Sequence, residues 1–300
     1  MKIQQLKFFV AVYEEGSFSA GAIRVNATQS GLSMHVRQLE NRYGVTLLNR
    51  SSTGAEPTEA GRTFYKRALE TLNAAARAED ALKELSGSVS GQIDVGLMPT
   101  FTGSILSSTL LRFAQEYKHV RVSIHEAYSA VLSNQVAEGL LDFAVVPSVS
   151  QDLGLDTFRL AKDRECLVCS SKNSILKGNT GSLRDLEPLH IVLPTEANAR
   201  RPRIDQYLSM NEIKVAETME LDAMLGTLDI VANSDWVSIL PGILGRADRD
   251  GVKRRFIPLS EPPLAVEYMR ISHKARPLNR AAQAFLDTLQ QELNNALEDD

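Results

Sequence analysis

From Ser17 to Glu40 the chain reads S-F-S-A-G-A-I-R-V-N-A-T-Q-S-G-L-S-M-H-V-R-Q-L-E, and the spacing of its apolar residues leaves few folds open. Leu32, Val36 and Leu39 recur at i, i+4 and i+7, so they share one face of a helix that must dock on other structure. Thr28 stands just ahead, placed to cap that helix by accepting a bond from an orphan backbone N–H. A polar Val25-Asn26-Ala27 connection separates it from a shorter helix upstream. Gln29, Ser30, Ser33, Met34 and Arg37 fall on the outward arc. A short docked helix with hydrogen-bonding residues at its start has the form of a major-groove reader, because the groove admits one α-helix and its floor presents donors and acceptors. Any αα-hairpin also has a polar outer face, so periodicity alone leaves both readings open.

Flanking patterns extend the motif. Ile3, Leu6, Phe9, Val10 and Tyr13 repeat at helical spacing and predict a first, supporting helix. Gly44-Val45-Thr46-Leu47-Leu48, then Asn49-Arg50 and the Ser/Gly-rich S-S-T-G-A-E-P-T, predict a two-stranded wing. The order L-x-x-F at Leu6 to Phe9, G-S-F-S at Gly16 to Ser19, T-Q-S-G-L-S at Thr28 to Ser33, Q-L-E at Gln38 to Glu40, L-L-N-R at Leu47 to Arg50 and P-T-E-A-G at Pro57 to Gly61 resembles the winged helix-turn-helix domain of LysR-type transcriptional regulators. The resemblance implies a DNA-binding domain over residues 1–57, with double-stranded DNA contacted by Thr28, Gln29, Ser30, Ser33, Met34, Arg37, Arg50 and Thr58. Gln29 and Ser33 are expected at base edges, and Arg37, Arg50 and Thr58 at phosphates. The chain departs from the family pattern at Met34, where Arg is frequent, at Ser30-Gly31 in place of Pro-Ala, and at Thr53 in a wing that often carries a basic residue.

Charge is distributed in keeping with that reading. The net charge is −4, but residues 1 to 67 carry nine Lys or Arg against five acids, +4, which leaves −8 for the remainder. A basic module on an acidic body suits phosphate contact by the first part and solubility of the second. With 43% apolar and 23% charged residues the chain is of ordinary globular composition. No stretch approaches the ~20 apolar residues of a membrane span, and Met-Lys-Ile-Gln-Gln-Leu-Lys opens a helix rather than a signal peptide. A cytoplasmic protein with no membrane partner is expected.

From Thr58 a long helix is predicted. Phe64, Ala68, Thr71, Ala75, Ala78, Leu82 and Leu85 alternate four and three apart, the repeat of a coiled-coil seam. Residues 58–90 are therefore expected to form a dimerisation helix and hinge, closed by the polar linker Ser86-Gly87-Ser88-Val89-Ser90-Gly91. The alternative is a helix that packs on its own body.

Beyond the linker, strands and helices alternate: strand Gln92–Met98, helix Gly103–Tyr117 with Leu106, Leu110, Leu111 and Phe113 inward, strand Val120–Glu126, helix Ala130–Glu138, then Gly139-Leu140-Leu141-Asp142-Phe143-Ala144-Val145-Val146 into the next strand. This is βαβαβ, a mostly parallel sheet with right-handed crossovers. A second unit follows, with strands Glu165–Ser170, His190–Leu193, Ala216–Met219 and Val237–Leu240, helices Arg203–Met210 and Ala223–Ala232, a closing strand Val266–Ile271 and a terminal helix Arg280–Leu297. With G-L-L-D-F-A-V at Gly139 to Val145 and the strand ending at Pro241, residues 91–300 resemble the two-lobed effector-binding domain of LysR-type regulators, similar in architecture to periplasmic solute-binding proteins. The fold class expected is thus α/β: a winged helix-turn-helix, a long linker helix, then the two-lobed effector domain. Lobe I is expected at about 91–160 and 267–300, lobe II at about 161–266, with chain crossings near Leu160–Arg164 and Leu264–Val266.

Ligands of open α/β sheets bind beyond the carboxyl ends of the strands, where helix N-termini favour anions. Those ends point to Thr100, Phe101, Thr102, Ser129, Pro147, Ser148, Asn198 and Pro241, and the resemblance implies that Thr100, Ser129 and residues after Pro194 line the cleft between lobes. Arg200, Arg201 and Arg203 cluster at a predicted helix start; Arg200 and Arg203 are candidate clamps for a carboxylate. The reading is of a regulator, not an enzyme, that binds promoter DNA, senses a small anionic metabolite, and pairs with itself through the linker helix. The family adds tetramerisation, and RNA polymerase is a further candidate partner. No cofactor or metal is expected, and the five histidines are scattered among predicted helices and strands.

Three rivals remain. A solute-binding protein built from residues 91–300 lacks an export signal. An enzyme would need a nucleophile elbow, P-loop, zinc signature or dinucleotide fingerprint, none of which is present. A thiol sensor would use Cys166 and Cys169, but on a strand residues three apart face opposite ways and cannot bridge.

Overall fold

The computed structural model describes residues 1–51, 54–84, 89–147, 153–173, 183–259 and 262–298. The chain forms two compact units, one built on Met1–Ser88 and the other holding nearly all of the rest. Among the described residues no helix is long and apolar enough to cross a membrane, and no cluster of His, Cys, Asp or Glu is placed to hold a metal ion.

The first unit runs α1 (Ile3–Glu15), α2 (Phe18–Arg24), α3 (Gln29–Tyr43), β1 (Leu48–Ser51), β2 (Gly54–Pro57) and α4 (Glu59–Glu84), with β1 and β2 an antiparallel hairpin. The α2–α3 turn passes through Asn26 at φ 51°, a left-handed position that Asn tolerates better than most residues. Thr28 then caps α3 by accepting the Gly31 N–H at 3.2 Å. Leu32, Val36 and Leu39 are fully buried against Leu6, Phe9 and Val12 of α1, so the docking face read from the spacing is the docking face of the fold.

The wing starts later than its sequence suggests. Before Leu48 the backbone is held by other groups: Glu40 Oε1 accepts the N–H of Leu47 at 2.8 Å and of Leu48 at 3.2 Å. On the opposite side, the Thr58 hydroxyl donates to Thr46 O at 2.8 Å and accepts the Gly61 N–H at 2.9 Å. Gly61 closes this lock, because a Cβ there would lie 2.1 Å from the Leu47 carbonyl oxygen. The segments Q-L-E and P-T-E-A-G are two grips on the same three residues.

The expected seam of α4 divides. Phe64 lies 5.1 Å from Phe9, Tyr65 stacks on Tyr13 at 3.9 Å, and Ala68 is fully buried, so the first turns of α4 complete the unit's own core. Phe64 and Ala68 thus leave the pairing seam, because α1 has an aromatic face that α2 and α3 do not cover. Thr71 and Ala78 are exposed, Ala75 is half-buried and Leu82 is 70% exposed. Leu85 lies outside the described residues, as do Ser86 to Ser88 and Thr53.

In the second unit, β3 (Gly91–Leu97), α5 (Pro99–Thr102), α6 (Leu106–Glu116), β4 (Val120–Glu126), α7 (Ser129–Glu138) and β5 (Phe143–Val146) build the first lobe. The strand β6 (Leu155–Ser170) leads to the second lobe: β7 (Leu189–Leu193), α8 (Arg201–Met210), β8 (Val215–Glu220), α9 (Met224–Ala232), β9 (Val237–Pro241) and β10 (Arg254–Pro258). Then β11 (Ala265–His273) returns and α10 (Arg280–Glu298) packs on the first lobe. The strand order is β4-β3-β5-β11-β6-β9-β7-β8, with β10 also on β6. β4, β3 and β5 are parallel, as are β8, β7 and β9, while β11 and β6 run antiparallel to their neighbours. Asp142 of G-L-L-D-F-A-V fastens β5 into register beside β3. Its carboxylate accepts the Asp94 N–H at 2.9 Å, and its own N–H donates to Asp94 O at 2.8 Å.

Two expectations are corrected by the fold. Leu111 is 69% exposed rather than inward. α6 begins at Leu106 after the short α5, and Phe113 and Thr109 take the buried positions with Leu106 and Leu110 half-covered. Strand β6 is sixteen residues long and begins ten before the expected Glu165, since its first half pairs with β11 and only its second half with β9 and β10. Along that second half Cys166 joins one apolar cluster with Val168 and Leu240, and Cys169 joins another with Leu167 and Ile191. The two thiols therefore lie on opposite faces of the sheet, and burial pushes the Cys169 thiol above its ordinary value.

The handover between lobes falls at Arg164, paired with Ala265, and Glu165, paired with Pro241. Four buried polar groups meet there. Asp163 accepts from the Tyr268 hydroxyl at 2.8 Å and from the Ile243 N–H at 3.0 Å. Glu165 receives Arg200 Nε at 2.9 Å and Nη2 at 2.6 Å, a bidentate pair, and Nη2 also reaches Ile239 O at 2.9 Å. Burial alone would lower the Arg200 pKa, but the Glu165 carboxylate outweighs it and holds the guanidinium above its ordinary value. Burial moves Asp163 the other way, from 3.8 to about 6, against the bonds from Ile243 and Tyr268.

Two outcomes follow for stability. Because the folded protein holds the Asp163 proton more tightly than the unfolded chain, this group's contribution is full below pH 3.8 and declines as pH rises toward about 6, a change of about 3 kcal/mol. Asp163→Asn keeps an acceptor oxygen for Tyr268 and Ile243, so urea midpoints should rise at pH 7.5 and change less between pH 5 and 7.5 than in the parent; an unaltered slope would remove Asp163 as the source. Gly61→Ala should cost the N-terminal unit about 1–3 kcal/mol through overpacking against Leu47, measured by chemical denaturation followed at the Tyr13–Tyr65 pair.

Candidate nucleic-acid interface and effector cleft

The outward face of α3 carries the residues singled out in the sequence. Thr28, Gln29, Ser30, Met34 and Arg37 are exposed and Ser33 is half-buried. Much of the polar capacity of this face is used within it. Ser19 Oγ donates to Gln29 Oε1 at 3.1 Å, Ser30 Oγ donates to the capping Thr28 Oγ1 at 3.4 Å, and Ser33 Oγ accepts from Arg50 Nη1 at 2.6 Å. Gln29 keeps its amide N–H donors and Ser33 its hydroxyl proton, which is what base edges require.

Arg50 is not a free wing cation. Its guanidinium lies 4.3 Å above the Phe18 ring and 3.8 Å from Glu40, so it fastens β1 to α2 and α3. Thr58 is likewise engaged, with its hydroxyl bonded to Thr46 O and the Gly61 N–H, so its place in the fold is a cap and strut. Arg37 is exposed and makes no hydrogen bond or ion pair with the described residues.

In the second unit a narrow cleft opens between the lobes, its atom-free space of about 450 Å3 including open solvent and its enclosed part only about 30 Å3. Met98, Thr100 and Tyr128 line it from the first lobe, and Pro194, Asn198, Arg200, Met224, Thr227 and Leu240 are among its lining from the second. Thr100, Asn198 and Arg200 of the expected set are thus brought together. Pro147, Arg200 and Arg203 line a separate recess with Glu165, Leu264 and Val266, on which Arg200 also borders. Four others stand apart. Phe101 packs edge-on against Tyr268 at 4.8 Å within the lobe core, the Ser129 hydroxyl turns inward to Met98 Sδ at 3.9 Å, the Thr102 hydroxyl donates to Glu126, and Pro241 is buried at the end of β9. Ser148 lies outside the described residues.

The clamp expected of the arginines is already partly occupied. Arg201 binds Asp205 at 2.9 Å, Glu220 at 2.7 Å and Pro194 O at 2.8 Å, holding the start of α8. Arg200 has given Nε and Nη2 to Glu165 and Ile239 O, while its Nη1 makes no hydrogen bond with the described residues. The Thr100 and Thr227 hydroxyls are without such bonds too. Sequence reading placed Tyr128 at a strand end without giving it a role, and missed Asp222. Tyr128 donates to the Asp222 backbone carbonyl from across the cleft. The Asp222 carboxylate accepts the Thr195 N–H at 3.2 Å and Asn198 Nδ2 at 3.3 Å, as well as the Thr195 hydroxyl. Only a Tyr one position before a helix start, and an acid between strand and helix, hinted at either.

Comparison with known proteins completes the picture. Residues 86–294 match the family described as LysR substrate binding domain, and residues 3–62 the bacterial regulatory helix-turn-helix protein, lysR family. The chain is 26% identical over 248 residues to the nitrogen assimilation regulatory protein nac of Escherichia coli (strain K12), covering 82% of this chain and 80% of that protein. It is 28% identical over 232 residues to a probable RuBisCO transcriptional regulator of Thalassiosira pseudonana, covering 74% and 75%. Among solved structures, CbnR, a LysR family transcriptional regulator, superposes with a TM-score of 0.73 at 21% identity, covering 97% of this chain and 99% of that one. A full-length CbnR complex with its target DNA does so at 22% identity with the same TM-score, covering 97% and 100%. With both of its domains matched by the family and its relatives transcriptional regulators rather than enzymes, the chain belongs to the LysR-type DNA-binding transcriptional regulators.

Proposed function

We propose that this regulator senses a small anionic metabolite held between its lobes, and that the metabolite changes how a self-associated assembly grips promoter DNA. The observation that carries the effector reading is the half-used guanidinium of Arg200. One edge is fixed by Glu165, which pre-orients the group, and Nη1 remains for a ligand carboxylate. Thr100 and Thr227 supply hydroxyls from the two lobes, and Met98, Met224 and Leu240 an apolar wall. A ligand touching both lobes favours the arrangement in which both touches are made, and a coupling of ~1–3 kcal/mol to DNA geometry is typical of such systems.

Self-association is proposed through the exposed part of α4, where Thr71, Ala78 and Leu82 continue the seam beyond the domain's own core. Two readers joined in this way span two half-sites, and tetramers and contact with RNA polymerase are further steps of the same reading. On DNA, Gln29 and Ser33 address base edges and Arg37 a phosphate.

Two measurements test this. A footprint on the upstream region repeated over a panel of small carboxylates should show one compound that shortens or shifts protection. Thr227→Leu, which fills the cleft, should abolish that response while leaving the ligand-free footprint in place; a response that survives places the effector elsewhere. Arg37→Ala should weaken binding and lower the slope of log affinity against log salt by about one for each reader engaged, and equal affinity at every salt concentration would take Arg37 out of the interface.

A further inference from the structure

Met34 is the anomaly of the reading face. It is 52% exposed, on the same face of α3 as Ser30 at i−4 and Arg37 at i+3, in a region otherwise lined with hydrogen-bonding groups. An exposed thioether forgoes burial that the core would offer, and about half of it stays open to solvent. Ser30 is bonded to Thr28 and Ser33 accepts from Arg50, so beside the amide donors of Gln29 and the cation of Arg37, Met34 is the apolar side chain that this face projects among the described residues. Met cannot donate a hydrogen bond and accepts only weakly, so it carries almost none of the donor and acceptor code of the major groove. The one apolar feature on that groove's floor is the C5-methyl group of thymine.

We infer that Met34 reads a thymine by apolar contact with its 5-methyl group. The inference rests on the reading of α3 as the DNA-contacting helix and adds to it a base identity at one position of each half-site. The unbranched thioether reaches over the Ser30 turn, since side chains lean toward the helix N-terminus, and that end is the one a docked reader presents to base edges. Burying one methyl group against Met34 corresponds to about fourfold in affinity, and to about fifteenfold where two readers each cover one.

The test uses the full chain and the tightest duplex it selects from a random-sequence pool. The duplex is made once with thymidine and once with 2′-deoxyuridine, which removes only the 5-methyl groups and leaves every hydrogen-bonding edge unchanged. The parent protein should lose about four- to fifteenfold on the deoxyuridine duplex. Met34→Ala should bind the two duplexes within twofold of each other, and Met34→Leu, still apolar, should keep most of the preference. Substituting deoxyuridine one position at a time should locate the effect at a single base pair per half-site. Equal binding of both duplexes by the parent, or an undiminished preference in Met34→Ala, overturns the inference while leaving α3 as the reader. If Gln29→Ala, Arg37→Ala and Met34→Ala all bind the thymidine duplex as the parent does, α3 is not the contacting helix and the underlying reading falls with it.

Discussion

One strand belongs to both lobes. Up to Arg164, β6 is a neighbour of β11 in the first lobe; from Glu165 it is a neighbour of β9 and β10 in the second. Backbone pairing alone would make that junction a simple continuation, but the side chains on either side of it are ionisable and buried. Asp163 holds Tyr268 and the start of the turn after β9, and Glu165 holds Arg200 at the head of α8. Leaving such a pair half-made costs several kcal/mol, since the remaining charge stays out of water. The bonds of Asp163 to Tyr268 and to the Ile243 N–H are the ones a relative movement of the lobes would strain, because Glu165, Arg200 and Ile239 all belong to the second lobe.

The N-terminal unit solves a similar problem at smaller scale. The angle of α3 to the wing must be fixed for the two to act together, and the residues between them, Val45 to Leu47, have no regular structure of their own. Glu40 grips them from α3, and Thr58 and Gly61 from the start of α4. Arg50 then ties the wing strand back across Phe18 and Ser33. Side chains that look from their charge like DNA contacts are here the fasteners of the scaffold that presents Gln29, Met34 and Arg37.

What could be read from the sequence follows the range of each interaction. The docking face of α3, the cap at Thr28 and the alternation that separates Cys166 from Cys169 depend on residues a few positions apart, and spacing reveals them. The alternation of strands and helices over residues 91–146 is legible for the same reason. Arg200 is different: its partner Glu165 is 35 positions away in sequence, and a run of three arginines gives no sign of which one is buried. The first half of β6, L-D-T-F-R-L-A-K-D-R, is too charged to look like a strand because much of it lies exposed between the two lobe cores. Leu111 misled through a helix start displaced by α5. The role of Tyr128, at a strand end legible in the sequence, escaped because it is to reach a backbone carbonyl, which no side-chain pattern encodes.

Residue 222 joins two jobs that are normally kept on separate residues. Its carboxylate gathers Thr195 and Asn198, the loop at the mouth of the cleft, while its carbonyl receives the tyrosine from the facing lobe. The two groups share one α-carbon, so a shift of the Asp222 backbone moves both. The loop at Thr195 and Asn198 and the fastening at Tyr128 thus meet at one residue, with no relay of intervening side chains: the sill of the cleft and its door latch are cut from a single residue.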